Sequence, residues 1–96
     1  MAFMMTRGDV GNYDAWKAMF DQDPPRARTD ASGWRIFRNV DKPGEIYIQV
    51  EFPSVEQAHA ARERLVASGV LERFPDRHGP VVVEEAETVS RSSDSA

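Results

Sequence analysis

His59 and Arg62 stand one turn apart in a segment with helical spacing, on or beside its apolar stripe of Val55, Ala58, Leu65 and Val66. Arg62 falls near the centre of that stripe and His59 at its edge. A cation is costly there unless it has a partner. If the stripe faces a pocket, Arg62 can stabilise an enolate or phenolate oxygen and His59 can move a proton. If it faces a filled core, the Arg62 stem packs and its head reaches water or a carboxylate. A second constellation is aromatic. Tyr13, Trp16 and Phe20 recur at i, i+3 and i+7, which puts three rings on one stripe of a helix. With Trp34, Phe74 and His78 they form the candidate pocket lining. His78 lies in a stretch bounded by Pro75, Gly79 and Pro80, so it is either a surface residue or a base at the pocket rim.

Other chemistry is excluded or thin. The chain has no cysteine, which removes disulfides, thiolate nucleophiles and zinc knuckles. Glu56, His59 and Glu63 have metal-ligand spacing on a helix, but a di-iron bundle needs that motif twice and it occurs once. An ion-paired, solvated face explains it, and no metal is expected. Asp21 and Asp23 start like a calcium loop that Pro24-Pro25 then spoils. No GxSxG, Walker or GxGxxG motif is present. The net charge of −4 over 96 residues argues against nucleic-acid and anionic-membrane partners. No segment approaches the roughly 20 apolar residues of a membrane span. Arg7 and Asp9 cut Met1–Met5 too short for a signal-peptide core. A cytoplasmic location is expected.

The elements that must position these residues follow from pattern and punctuation. Ala2–Thr6 is a strand, apolar on both faces, ended by Arg7-Gly8-Asp9. Asn12 caps a first helix that stops before Pro24-Pro25. Residues 24–33 form a polar loop. Trp34–Val40 is strand two, and Asp41–Gly44 is a turn in which Gly44 takes a positive φ. In strand three, Glu45–Phe52, Ile46, Ile48, Val50 and Phe52 share one face, with Tyr47, Gln49 and Glu51 on the other. Ser54 and Gln57 form a capping-box pattern that opens helix two, which runs to about Ala67, with Ser68-Gly69 closing it. Val70–Phe74 adds a turn and Asp76–Pro80 is a loop. Strand four opens at Val81-Val82-Val83 and continues towards Val89. Residues 1–89 make one domain, and the polar tail 90–96 is expected to be disordered.

Two β-α-β units around a hairpin predict an α+β, ferredoxin-like sandwich, with strands one and three central and both helices on one face. The other face should be polar in a monomer. Strand one is instead apolar on both sides, and Val81–Val83 must send valine both ways. A large uncovered apolar patch marks an interface, so a homodimer is expected. RNA-recognition domains share the strand order, but strand three lacks their basic aromatic consensus.

The segments Tyr13–Lys17 with Phe20-Asp21, Gly33–Arg38, Asp41–Glu45, Val50–Phe52 and Ser54–Ala58 resemble small proteins of the dimeric α/β-barrel superfamily. That group includes antibiotic-biosynthesis monooxygenases and proteins labelled cyclases. The resemblance spans about residues 2–89. It implies sheets that pack in a dimer and an apolar pocket between sheet and helices. It also implies oxygenation or cyclisation of an aromatic, polyketide-like molecule without a cofactor; the alternatives are a regulatory module that binds such a ligand without turnover and a purely structural dimer with no site. The Asn, Trp and His pattern of the haem-degrading branch is not matched, since Trp16 is on the first helix and strand one has no Asn.

Overall fold

The computed structural model describes residues 1–22 and 28–91. Strands β1 (Ala2–Asp9), β2 (Gly33–Arg38), β3 (Glu45–Phe52) and β4 (Arg77–Glu84) form one antiparallel sheet in the order β2-β3-β1-β4. Helices α1 (Tyr13–Asp21) and α2 (Val55–Ser68) supply the crossovers, and a 3-10 turn, Val70–Arg73, follows α2. This is the expected ferredoxin-like α+β arrangement, with β1 and β3 central.

Local signals place most boundaries. The Asn12 side chain accepts from the Ala15 N–H at 2.9 Å and starts α1. Ser54 Oγ accepts from the Gln57 N–H at 3.1 Å and starts α2, which closes at Gly69. The register puts Ala2, Met4, Thr6 and Gly8 beside Phe52, Val50, Ile48 and Ile46 on the helix-bearing face. Ala2, Met4, Val50 and Phe52 join Ala58 and Ala61 of α2 in the buried core. Phe3, Met5, Phe37, Tyr47, Val81 and Val83 share the opposite face.

Several expectations are corrected. β1 runs on to Asp9, because Gly8 and Asp9 pair with Ile46 and Glu45. β2 ends at Arg38 rather than Val40. Residues 77–80 are strand, not loop: Arg77 pairs with Gly8 and His78 with Arg7. The Gly79-Pro80 step is absorbed by a register shift between Met5 and Arg7, which is how an edge strand accommodates these residues. β4 stops at Glu84 instead of approaching Val89. Gly44 is not in the left-handed region. Its requirement is room, since a Cβ there would sit 3.0 Å from Asp9 Oδ1 and from the Gly11 carbonyl. On α2 the buried positions are Ala58 and Ala61, while Val55 and Val66 are exposed. Pro24-Pro25, Asp23 and residues 92–96 of the tail lie outside the described residues.

Candidate functional site

Small residues on α2 let that helix lie close on the sheet, against β1, β3 and β4. α1 behaves differently: none of its Cα atoms comes within 8 Å of another strand or helix. It reaches the sheet through large side chains only. The gap beneath it is a cavity of about 100 Å³.

Its floor is the inner face of the central strands: Met4, Thr6, Ile46, Ile48 and Val50. Trp16, Met19 and Phe20 form the roof, and Leu65, Leu71 and Phe74 close the far side. Trp16 is 6% exposed, and its ring lies 4.8 Å from Phe20 and 5.8 Å from Tyr13, in tilted stacks. Two cations, Arg28 and Arg77, belong to the wall. No carboxylate and no histidine lines it among the described residues.

Arg28 is 8% exposed. Its guanidinium stacks 3.6 Å above the centre of the Phe20 ring and 4.5 Å from that of Trp34, and it donates to the Phe20 carbonyl at the end of α1. Arg77 comes from β4 on the inner face, opposite Gly8. Its Nη1 donates to the carbonyls of Leu71 at 2.8 Å and Phe74 at 3.2 Å, which ties the 3-10 turn to the sheet. Its Nε is buried and has no hydrogen-bond partner among the described residues.

The structure divides the sequence-derived candidates. Trp16, Phe20 and Phe74 line the cavity together. Tyr13 stands behind Trp16, with the Arg38 guanidinium 5.1 Å from its ring centre. Trp34 packs edge-on against Phe20 at 6.5 Å and is half exposed at the rim. His78 is on the opposite face of the sheet, in a shallow hollow with Met5, Arg7, Phe37, Tyr47, Gln49 and Val81. His59 is exposed on α2, outside the cavity lining. Arg62 Nε donates to the Pro80 carbonyl at 2.7 Å, so its head binds β4 and also lies outside the lining. Arg28 and Arg77 were not singled out from sequence. Each sits in a segment with loop composition, and the groups that place it, α1 and Trp34 for Arg28, the 3-10 turn and β1 for Arg77, belong to other elements.

A second polar group occupies the uncovered face. Glu45 is buried and receives Arg7 Nε at 3.0 Å, Asn39 Nδ2 at 2.7 Å and the Tyr47 hydroxyl at 2.9 Å. The Asn39, Arg7 and Tyr47 hydrogen bonds hold its carboxyl at about 2, below the ordinary value of 4.5. The same contact raises the Tyr47 hydroxyl above its usual value. Arg7, Asn39 and Tyr47 all donate to Glu45, which marks a structural tie between β1, β3 and the β2–β3 turn.

No group of three or more His, Asp or Glu side chains that could hold a metal occurs among the described residues. No described helix is long and apolar enough to cross a membrane. No family model and no curated protein matches the chain. Among solved structures it is similar to one from Deinococcus radiodurans, described as a "putative antibiotic biosynthesis monooxygenase". The TM-score is 0.62 at 11% sequence identity, over 96% of this chain and 99% of that one. At that identity the likeness establishes a shared ferredoxin-like fold along essentially the whole chain.

Proposed function

We propose that this chain binds an apolar, aromatic small molecule in the cavity beneath α1 and works as a homodimer. The observation that supports the site is the cavity itself, an apolar space walled by Trp16, Phe20 and Phe74 with Thr6, Arg28 and Arg77 converging on it. A plain structural dimer has no use for such a space, since a filled core is more stable than a hollow one. Its size limits the occupant. A volume of this order holds about one small ring. A multi-ring molecule must extend through the rim towards Trp34 or displace α1.

The fold it shares with the Deinococcus radiodurans protein supports a more specific reading, oxygenation of an aromatic substrate without a cofactor. In such a reaction an activated CH₂ group and O₂ yield a carbonyl and water, and the substrate supplies the electrons. The step starts with loss of a substrate proton. With no histidine or carboxylate among the described lining residues, the wall's contribution is to stabilise the resulting oxyanion through its arginines. His59 and Arg62 enter this reading only if ligand binding moves α2.

The test is heteronuclear NMR with toluene as a minimal apolar probe. Binding in the cavity shifts the Trp16 indole N–H signal and the Met4 and Ile48 methyls, and leaves the Val89 methyls unmoved. Absence of any saturable shift refutes the site. Oxygen consumption with an anthrone separates turnover from binding.

A further inference from the structure

The cavity wall carries charge of one sign only. Arg28 and Arg77 belong to it, and no acidic side chain does among the described residues. This occurs in a chain whose net charge is −4. A cation such as Arg77 in an apolar wall is expensive unless something compensates it. Arg77 carries the sharper signal. Nη1 is committed to the Leu71 and Phe74 carbonyls, while Nε is buried without a partner. Buried donors are nearly always satisfied, so an orphan asks for an explanation. The Nε side of a guanidinium is also one of the edges a carboxylate engages in a two-point fork.

We infer that the ligand carries one anionic oxygen group, a carboxylate or phenolate, and that the Arg77 guanidinium of the cavity wall reads it while the aromatic roof holds the ring. The inference rests on the cavity being the binding site. Arg28, stacked on Phe20 and Trp34, holds the roof and raises the local potential without contacting the anion directly.

Benzoate and benzamide test it, because they match in shape and differ in charge at neutral pH. Toluene serves as the uncharged apolar control. A charge-assisted hydrogen bond gives benzoate an advantage of about tenfold or more over benzamide in titrations followed at the Trp16 indole. Arg77→Met should bring the benzoate-to-benzamide affinity ratio down to about one, with toluene titrated alongside to report the state of the cavity that Arg77 helps to wall. Arg77 also holds the 3-10 turn, so Arg77→Lys is the second variant. It keeps the charge but loses the fork, and should retain only part of the preference. Raised salt should weaken benzoate and spare toluene. Equal affinity of the wild type for benzoate and benzamide, with toluene bound, overturns the inference and leaves the cavity site standing. Loss of the preference in Arg28→Met but not in Arg77→Met also overturns it. If none of the three probes binds, the site and the inference fall together.

Discussion

Trp16 is both the largest side chain that α1 contributes to the interior and part of the cavity roof. Trp16→Ala should destabilise the fold by about 3 kcal/mol, measured by urea unfolding, because it empties volume next to an existing void. Arg62→Met tests the contact that the structure gives Arg62. Removing the donor strands the Pro80 carbonyl, and the expected loss is about 1.5 kcal/mol with ligand binding unchanged. Weaker toluene or benzoate binding by a variant of unchanged stability would return Arg62 to the site. Glu45 governs acid behaviour. Its carboxyl titrates at about 2 in the fold and near 4.5 otherwise. A depressed carboxylate stabilises the fold fully above the unfolded value and loses that contribution as pH falls towards the folded one. Acid unfolding should therefore steepen below about pH 4.5. Glu45→Gln should flatten that limb and lower stability at neutral pH. Asp9, lowered by the Gly11 N–H and by Lys42, acts in the same direction.

At the scale of elements, β4 shows how a long-range ladder overrides local composition. Gly79 has φ +91°, and a Cβ there would meet the Met5 carbonyl at 2.6 Å. Gly79→Ala should cost at least about 2 kcal/mol, read as a lowered melting temperature, because the strain and the clash have the same sign. What sequence could and could not show divides along the same line. Asn12, Ser54 and Gly69 act on backbone a few residues away, so both helix starts and the end of α2 were legible. The alternation of Ile46–Phe52 was legible because one face is buried along its whole length. Arg77-His78-Gly79-Pro80 looked like a loop because its pairing partners, Arg7 and Gly8, are some 70 residues distant. The aromatic stripe gave the cavity roof, but the space under it was not legible. That space depends on how far α1 stands from the sheet, which the size of the side chains between them sets. His59 and Arg62 lie outside the lining of that space. A helical wheel gives phase, and the element actually opposite Arg62 is β4.

For the whole molecule, the uncovered face is where the proposed association is tested. The structure is thin, 21 Å along its shortest axis, with helices on one side of the sheet only. Phe37 is 50% exposed and Tyr47 42%, with Met5 and Val81 beside them. Sedimentation equilibrium at micromolar concentration should give twice the 10.8 kDa of one chain, and Phe37→Glu should return it to a single chain. A wild type that sediments as one chain refutes the dimer. The sheet also ends differently on its two sides. β2 leaves a continuous six-residue edge, Gly33–Arg38. The β4 edge is interrupted where Pro80, which has no N–H, meets the register shift. Growth of a fibril needs two complementary edges on every copy, so that each addition regenerates the end it consumed. Here a β2 edge can join another β2 edge, after which both ends of the doubled sheet present Pro80, and strand-by-strand polymerisation stops at two.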